Sequence, residues 1–167
     1  MNVLVLNAGS SSLKFQVIAT DPDRIAKDCD ERLSRGLVER IGGEAIVTIQ
    51  NGNRPRQKST AQIPDIAAAL RQVLGCLMSD QAGAPVLKRF ADIHAIGHRI
   101  VHGGELFSQS TLITPEVLKG IEDCIDLAPL HNPTNIKGIA AGYEVFGRQI
   151  PQVAVFDTAF HLSLIHI

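Results

Sequence analysis

The hydrophobic period of this chain changes at Pro64, and that change limits the fold more than any other single feature. Before it, apolar residues come in short runs and alternations. Val3 to Asn7 is an apolar run stopped by the turn signal Ala8-Gly9-Ser10-Ser11-Ser12. Leu13 to Ala19 resumes as a second strand that puts Leu13, Phe15 and Val17 on one face. Ala45 to Gln50 is a third strand, followed by the hairpin signal Asn51-Gly52 and by Arg56 to Ile63 as its returning partner. After Pro64, Ile66, Leu70, Val73, Leu74 and Leu77 recur at helical spacing, with Gly83 past the end. Ile93 to Val101 is again strand-like and stops at Gly103-Gly104. Thr114-Pro115 opens a short helix, Asn132-Pro133 opens another that runs to about Gly147, and Gln152 to Phe156 is a last apolar strand. Hairpin strands followed by helices alternating with strands describe an α/β domain on a mixed sheet.

A length of 167 residues suits one ordinary domain or half of a two-domain enzyme. Sixteen basic residues against seventeen acidic ones, with 4% aromatics and no Trp, argue against a nucleic-acid partner, which needs cationic surface and stacking rings. Cys29, Cys76 and Cys124 stand in no paired spacing, so a reducing cytoplasm is expected rather than a secreted disulfide scaffold. No run reaches the roughly 18 apolar residues needed to span a bilayer, so no membrane partner is expected.

Four stretches combine residues suited to chemistry. In Asn7-Ala8-Gly9-Ser10-Ser11-Ser12-Leu13-Lys14, glycine, hydroxyls and close backbone N–H groups can cradle an anion, and Lys14 adds a charge. The same residues also make an ordinary serine-rich turn, and Leu13 stands where a Walker A loop needs Gly. In Gly97-His98-Arg99-Ile100-Val101-His102-Gly103-Gly104, a strand would hold His94 and His98 roughly 13 Å apart, too far to share a zinc ion. Arg99 then points away from the histidines, either to grip a carboxylate or phosphate or to form a plain salt bridge. His131, in Leu127-Ala128-Pro129-Leu130-His131-Asn132-Pro133, precedes the N-cap of a helix, where it can donate to an oxyanion or help to cap. Asp157 directly follows a buried strand, the place where α/β sheets carry functional carboxylates, though turns use Asp there too. His161 is a weaker candidate beside it.

Together these stretches resemble the acetate kinase (acetokinase) family. The carriers are NAGSSSLKF at residues 7–15, GHRIVHGG at 97–104, LAPLHNP at 127–133 and FDTAFH at 156–161. The resemblance implies an acetate-and-sugar-kinase/Hsc70/actin-like, ribonuclease H-like fold: a mixed five-stranded sheet with flanking helices. It implies reversible phosphoryl transfer from ATP to acetate, giving acetyl phosphate and ADP, with Mg²⁺ as cofactor and Mn²⁺ as its substitute. Carried over by motif, it implies Asn7 in the metal shell, and Lys14, Ser10 and Ser12 against the ATP phosphates. Arg99 would hold the substrate carboxylate, Val101 and Leu130 would line its methyl pocket, and His131 would donate to the transferring phosphoryl group. Asp157 matches the residue described as the acid/base. A carboxylic acid with a pKa of about 4.3 is already ionised at neutral pH, so the nucleophile has no proton to lose. Orienting Mg²⁺ waters or Arg99 is the expected duty of Asp157 instead.

The resemblance covers residues 1–161, read as an N-terminal domain forming the substrate half of a cleft. The nucleotide-binding C-terminal domain is expected to lie outside this chain, which by itself is expected to be inactive. A homodimer is implied for the complete enzyme, with contacts mainly outside this chain. Leu162 to Ile167 departs from the family pattern and reads as a translation of CTG TCT CTT ATA CAC ATC, a transposon-end adapter; these six residues are expected to be non-native. Two other functions fit less of the pattern: a propionate or butyrate kinase, and a non-catalytic module binding carboxylate or phosphate.

Overall fold

The computed structural model describes residues 1–80 and 85–159. Eight strands form one mixed sheet: β1 (Asn2–Ala8), β2 (Ser12–Ala19), β3 (Glu31–Glu39), β4 (Gly43–Asn51), β5 (Gln57–Ile63), β6 (Ala95–Ile100), β7 (Thr111–Leu112) and β8 (Gln152–Phe156). Their order is β5-β4-β3-β2-β1-β6-β8-β7. The first five strands are an antiparallel meander. β1, β6 and β8 run parallel, and β7 closes the far edge antiparallel to β8. The α/β class and the mixed sheet are as expected, but among the described residues the strand count is eight, not five. β3 and the two-residue β7 are the strands that hydrophobic pattern alone did not mark.

β3 is polar, and Gly36 interrupts it. It pairs all the same, because Gly36 sits opposite Phe15 in the register, and a Cβ there would lie 2.5 Å from the Phe15 ring and 2.3 Å from the Thr48 carbonyl. The ring covers the bare backbone and supplies the packing that glycine cannot. The Asn51-Gly52 turn is a longer loop than a two-residue hairpin, with Gly52 at φ 53° and β5 starting at Gln57.

The helices α1 (Pro22–Ala26), α2 (Ile66–Met78), α3 (Pro115–Asp123) and α4 (Asn132–Phe146) accompany the sheet. α2 begins where the period changes, capped by Asp65, whose carboxylate accepts from the Ala68 N–H at 2.8 Å. It buries Ile66, Leu70, Val73, Leu74 and Leu77, the residues that carry the helical period. Thr114 caps α3 as its sequence suggests, accepting from the Val117 N–H at 3.3 Å. Gly83, Phe160, His161 and the tail 162–167 lie outside the described residues.

α2 and α4 pack on each other and on one face of the sheet, where Leu4, Leu6, Leu13, Phe15, Val17 and Ile96 are buried. Removing such a side chain from water is worth about 1.5–3 kcal/mol, which is why strand alternation dictates the facing. α4 comes close because it carries glycine where it meets the strands. A Cβ on Gly138 would lie 2.9 Å from the Ala8 Cβ, and one on Gly142 would lie 2.5 Å from Gln152 Oε1. The other sheet face, which carries Lys14 and Arg99, stays open in this chain.

Candidate active site

The sheet order brings distant residues to one edge. β1, β6 and β8 are parallel neighbours, so their C-terminal ends lie side by side, and β2 begins where β1 ends. Asn7 on β1 is the register partner of Lys14 on β2. Leu6 and His98 pair across β1 and β6 on the core face, so the following residues, Asn7 and Arg99, both emerge on the open face. Between β1 and β2 the chain turns with the Gly9 N–H donating to the Ser12 carbonyl at 2.8 Å. Ser10 is exposed at this turn and Ser12 is half-buried at the head of β2.

Arg99 and Asp157, 58 residues apart in sequence, meet directly. Arg99 Nε donates to both carboxylate oxygens at 3.0 and 3.1 Å, and Nη2 donates to Oδ2 at 2.7 Å. Hydrogen bonding to this carboxylate raises the Arg99 pKa above its ordinary value. Nη1 has no hydrogen-bond partner among the described residues, so the outer edge of the guanidinium remains open.

His98, one residue earlier, faces the other way. It is 2% exposed and its Nε2 shares a hydrogen bond with Gln152 Oε1. Burial lowers its pKa to about 4, so the ring is neutral at physiological pH. His94 Nδ1 accepts from the Asn2 N–H at 2.9 Å, and His102 Nδ1 from the Gly104 N–H at 2.9 Å. The three histidines serve three separate structural bonds.

After Ile100 the chain leaves the sheet through Val101, His102, Gly103 and Gly104. The Gly103 N–H donates to Thr158 Oγ1 at 3.1 Å, and a Cβ on Gly103 would lie 2.7 Å from the Phe156 ring, which stacks on Phe107. Val101 is half-buried. Leu130 is 79% exposed and makes no part of an enclosed pocket here.

The start of α4 differs from its expected form. His131 is itself the N-cap, without a capping side-chain bond, rather than the residue before it. The reason is that Asn132, the natural capping type, is turned inward. It is 0% exposed; its Oδ1 accepts from the His102 N–H at 3.2 Å and its Nδ2 donates to the His102 carbonyl at 2.9 Å. Asn135 lies on the same helix face. Its Oδ1 accepts from the Val101 N–H at 3.0 Å and its Nδ2 donates to the Ala8 carbonyl at 3.1 Å. Asn132 was expected to be the cap of this helix, and Asn135 had no expected role. Their signal was a polar pair three residues apart on the face that also buries Gly138 and Ile139.

Lys14 lines an open cavity of about 390 Å³ with Gln16, Arg35, Gln50 and Arg56, but Arg99, His131 and Asp157 do not border it. The candidate residues therefore form a wall rather than an enclosed pocket. Asn7 and Asp157 offer hard oxygen donors on that wall, the type Mg²⁺ takes. Among the described residues no three His, Cys, Asp or Glu gather into a metal cage. Mg²⁺ commonly binds through one or two protein oxygens, waters and substrate phosphates, so this donor set fits it.

The model of the acetokinase family matches residues 2–166. The chain belongs to the acetokinase family. Among curated members it is 66% identical over 164 residues to the acetate kinase of Solibacter usitatus (strain Ellin6076) and 47% identical over 169 residues to that of Chloroherpeton thalassium. Each match covers 98% of this chain and 40% of the relative, so the chain spans about two fifths of the length of the family members it matches. Among solved structures, the acetate kinase of Porphyromonas gingivalis superposes with a TM-score of 0.84 at 41% identity, covering 95% of this chain and 38% of the other. A propionate kinase from Francisella tularensis superposes with a TM-score of 0.78 at 37% identity, covering 96% and 38%. The acetokinase fold, of the acetate-and-sugar-kinase/Hsc70/actin type, is thus the fold of this chain. Among the described residues, no helix is long and apolar enough to cross a membrane.

Proposed function

We propose that this chain forms the carboxylate-binding wall of an ATP-dependent acetate kinase, whose other wall belongs to the part of the relatives beyond the match. The observation that carries the reading is the Arg99–Asp157 pair at the strand ends. A guanidinium held by one carboxylate, with its outer edge unpaired among the described residues, is preset to take a second carboxylate in a fixed orientation.

Phosphoryl transfer depends on alignment and charge neutralisation more than on covalent help. An oxygen of acetate, ionised at neutral pH, attacks the γ-phosphorus of ATP. The bond from that phosphorus to the β,γ-bridging oxygen breaks, and ADP departs with the electron pair. Arg99 neutralises the acetate, so that two anions can approach. Asp157 keeps the guanidinium in plane. Lys14, Ser10 and Ser12 face the ATP phosphates, and His131 donates to the moving phosphoryl group. Val101 and Leu130 line the methyl pocket, Leu130 losing its exposure when the second wall covers it. Asn7 and Asp157 would hold Mg²⁺, or Mn²⁺ in its place, through water. When bound, that ion would supply neutralisation of phosphate charge.

Acetate is favoured over propionate by the curated relatives at 66% and 47% identity, although the Francisella structure keeps propionate in view. One methylene is worth only about 1–3 kcal/mol in such a choice. The direct test joins residues 1–161 to the remainder of the Solibacter usitatus relative and measures acetyl phosphate by hydroxamate trapping. ATP-, acetate- and Mg²⁺-dependent product is expected, with a lower kcat/KM for propionate. A folded, inactive fusion overturns the enzyme reading and leaves a carboxylate-binding module.

A further inference from the structure

Asn132 and Asn135 are the only buried polar residues of α4, at 0% and 3% exposure, and both spend their carboxamides on backbone outside the helix. Together they reach the Val101 N–H, the His102 N–H and carbonyl, and the Ala8 carbonyl. Ala8 immediately precedes the Gly9-Ser10-Ser11-Ser12 turn, Val101 is two residues past Arg99, and His131 caps the helix that carries both asparagines. Val101 and His102 have left β6, so the strand ladder does not determine their position. Burial of the asparagine amides makes these bonds costly to break, since an orphaned buried polar group keeps its full desolvation penalty.

Resting on the phosphoryl-transfer reading above, we infer that Asn135, assisted by Asn132, is a positioning residue that sets the acetate pocket at Val101 against the phosphate turn after Ala8. Asn135 has one acceptor and one donor in use, each directed at a different substrate side. Its carboxamide is therefore the spacer between them. Displacements near 1 Å between reacting groups cost about 10²-fold in rate, so a spacer of this kind acts on catalysis without touching substrate.

Two measurements test it. In the 167-residue chain, hydrogen exchange reads the amides of Val101 and His102, whose acceptors are the two asparagines. They are expected to exchange as slowly as those of β6; fast exchange at Val101 overturns the clamp without any variant. In the fusion enzyme, Asn135→Ala is expected to raise KM for acetate about tenfold, following the shift of Val101, while KM for ATP stays within about threefold. Asn135→Asp keeps the acceptor for Val101 and lacks the donor for Ala8. It should hold KM for acetate near wild type while kcat falls about tenfold. Ser34→Ala, which breaks a buried bond to Asn51 far along the sheet, controls for lost stability and should move neither KM. An active wild-type fusion whose Asn135→Ala variant keeps KM for acetate within twofold refutes the positioning role alone. An inactive wild-type fusion refutes the enzyme reading and this role with it.

Discussion

Arg99, near the end of β6, and Asp157, the first residue after β8, are joined by three hydrogen bonds of 2.7 to 3.1 Å that lock the guanidinium edge-on to one carboxylate. Part of each group remains open to solvent, 51% of the arginine side chain and 30% of the aspartate, so the pair is worth little as a stabilising ion pair. Its value lies in orientation.

Replacing the fork by a point charge tests this. Arg99→Lys keeps the positive charge but cannot bond Asp157 and a substrate carboxylate in one plane. KM for acetate in the fusion enzyme is expected to rise about tenfold, and Arg99→Ala about 10²-fold, with melting temperatures unchanged. Steady-state kinetics over a range of acetate concentrations reads both values.

Asp157→Asn leaves the shape and removes the charge. An orienting carboxylate predicts a fall in kcat of about 10²-fold that is the same at every pH from 6 to 9. A proton-transfer role predicts a loss that appears only through a titration step. The pH–rate profile of the variant separates the two.

His98 predicts acid sensitivity of the fold. Its pKa is about 4 when folded, against an ordinary value near 6.5, so between these values the unfolded chain binds the extra proton. Stability is full above about pH 6.5 and falls as pH drops toward 4, by up to about 1.4 kcal/mol per unit from this residue. His98→Gln should flatten that slope in urea titrations at pH 7, 6 and 5, although it loses stability at pH 7.

Gly138→Ala probes the helix–strand approach. The added methyl would meet the Ala8 Cβ at 2.9 Å, and a methyl on a strand has nowhere to go. A loss of about 1–3 kcal/mol in unfolding free energy is expected. Because Ala8 leads into the serine turn, KM for ATP should rise as well. Gly75→Ala, with open space around its Cβ position, should cost nothing in either measurement.

What could be read from the sequence followed the strength of the hydrophobic pattern. β1, β2, β4 and α2 stood out because burial on one face forces alternation or helical spacing, whereas β5, buried only at Ile63, followed from the Asn51-Gly52 hairpin signal before it. β3 did not, because its Arg32, Ser34, Arg35 and Gly36 have no pattern of their own, and the ring that packs on Gly36 belongs to Phe15 of β2. The candidate site was visible as motifs, and Arg99 was one of two groups Asp157 was expected to orient; the contact itself depends on β8 lying beside β6. Asn132 was taken for the cap that opens α4, as an asparagine at a helix start reads, and Asn135 drew no reading at all. Only the fold shows that both turn inward.

β8 lies between β6 and β7 in the sheet, although it is the last of the eight strands in the chain. During synthesis β6 and β7 therefore emerge with a gap between them, and their facing edges stay unpaired for some forty residues. Arg99 spends that interval without its partner, on an edge open to any passing strand. β8 fills that gap, so the strand that brings Asp157 to Arg99 is also the one that covers the facing edges of β6 and β7.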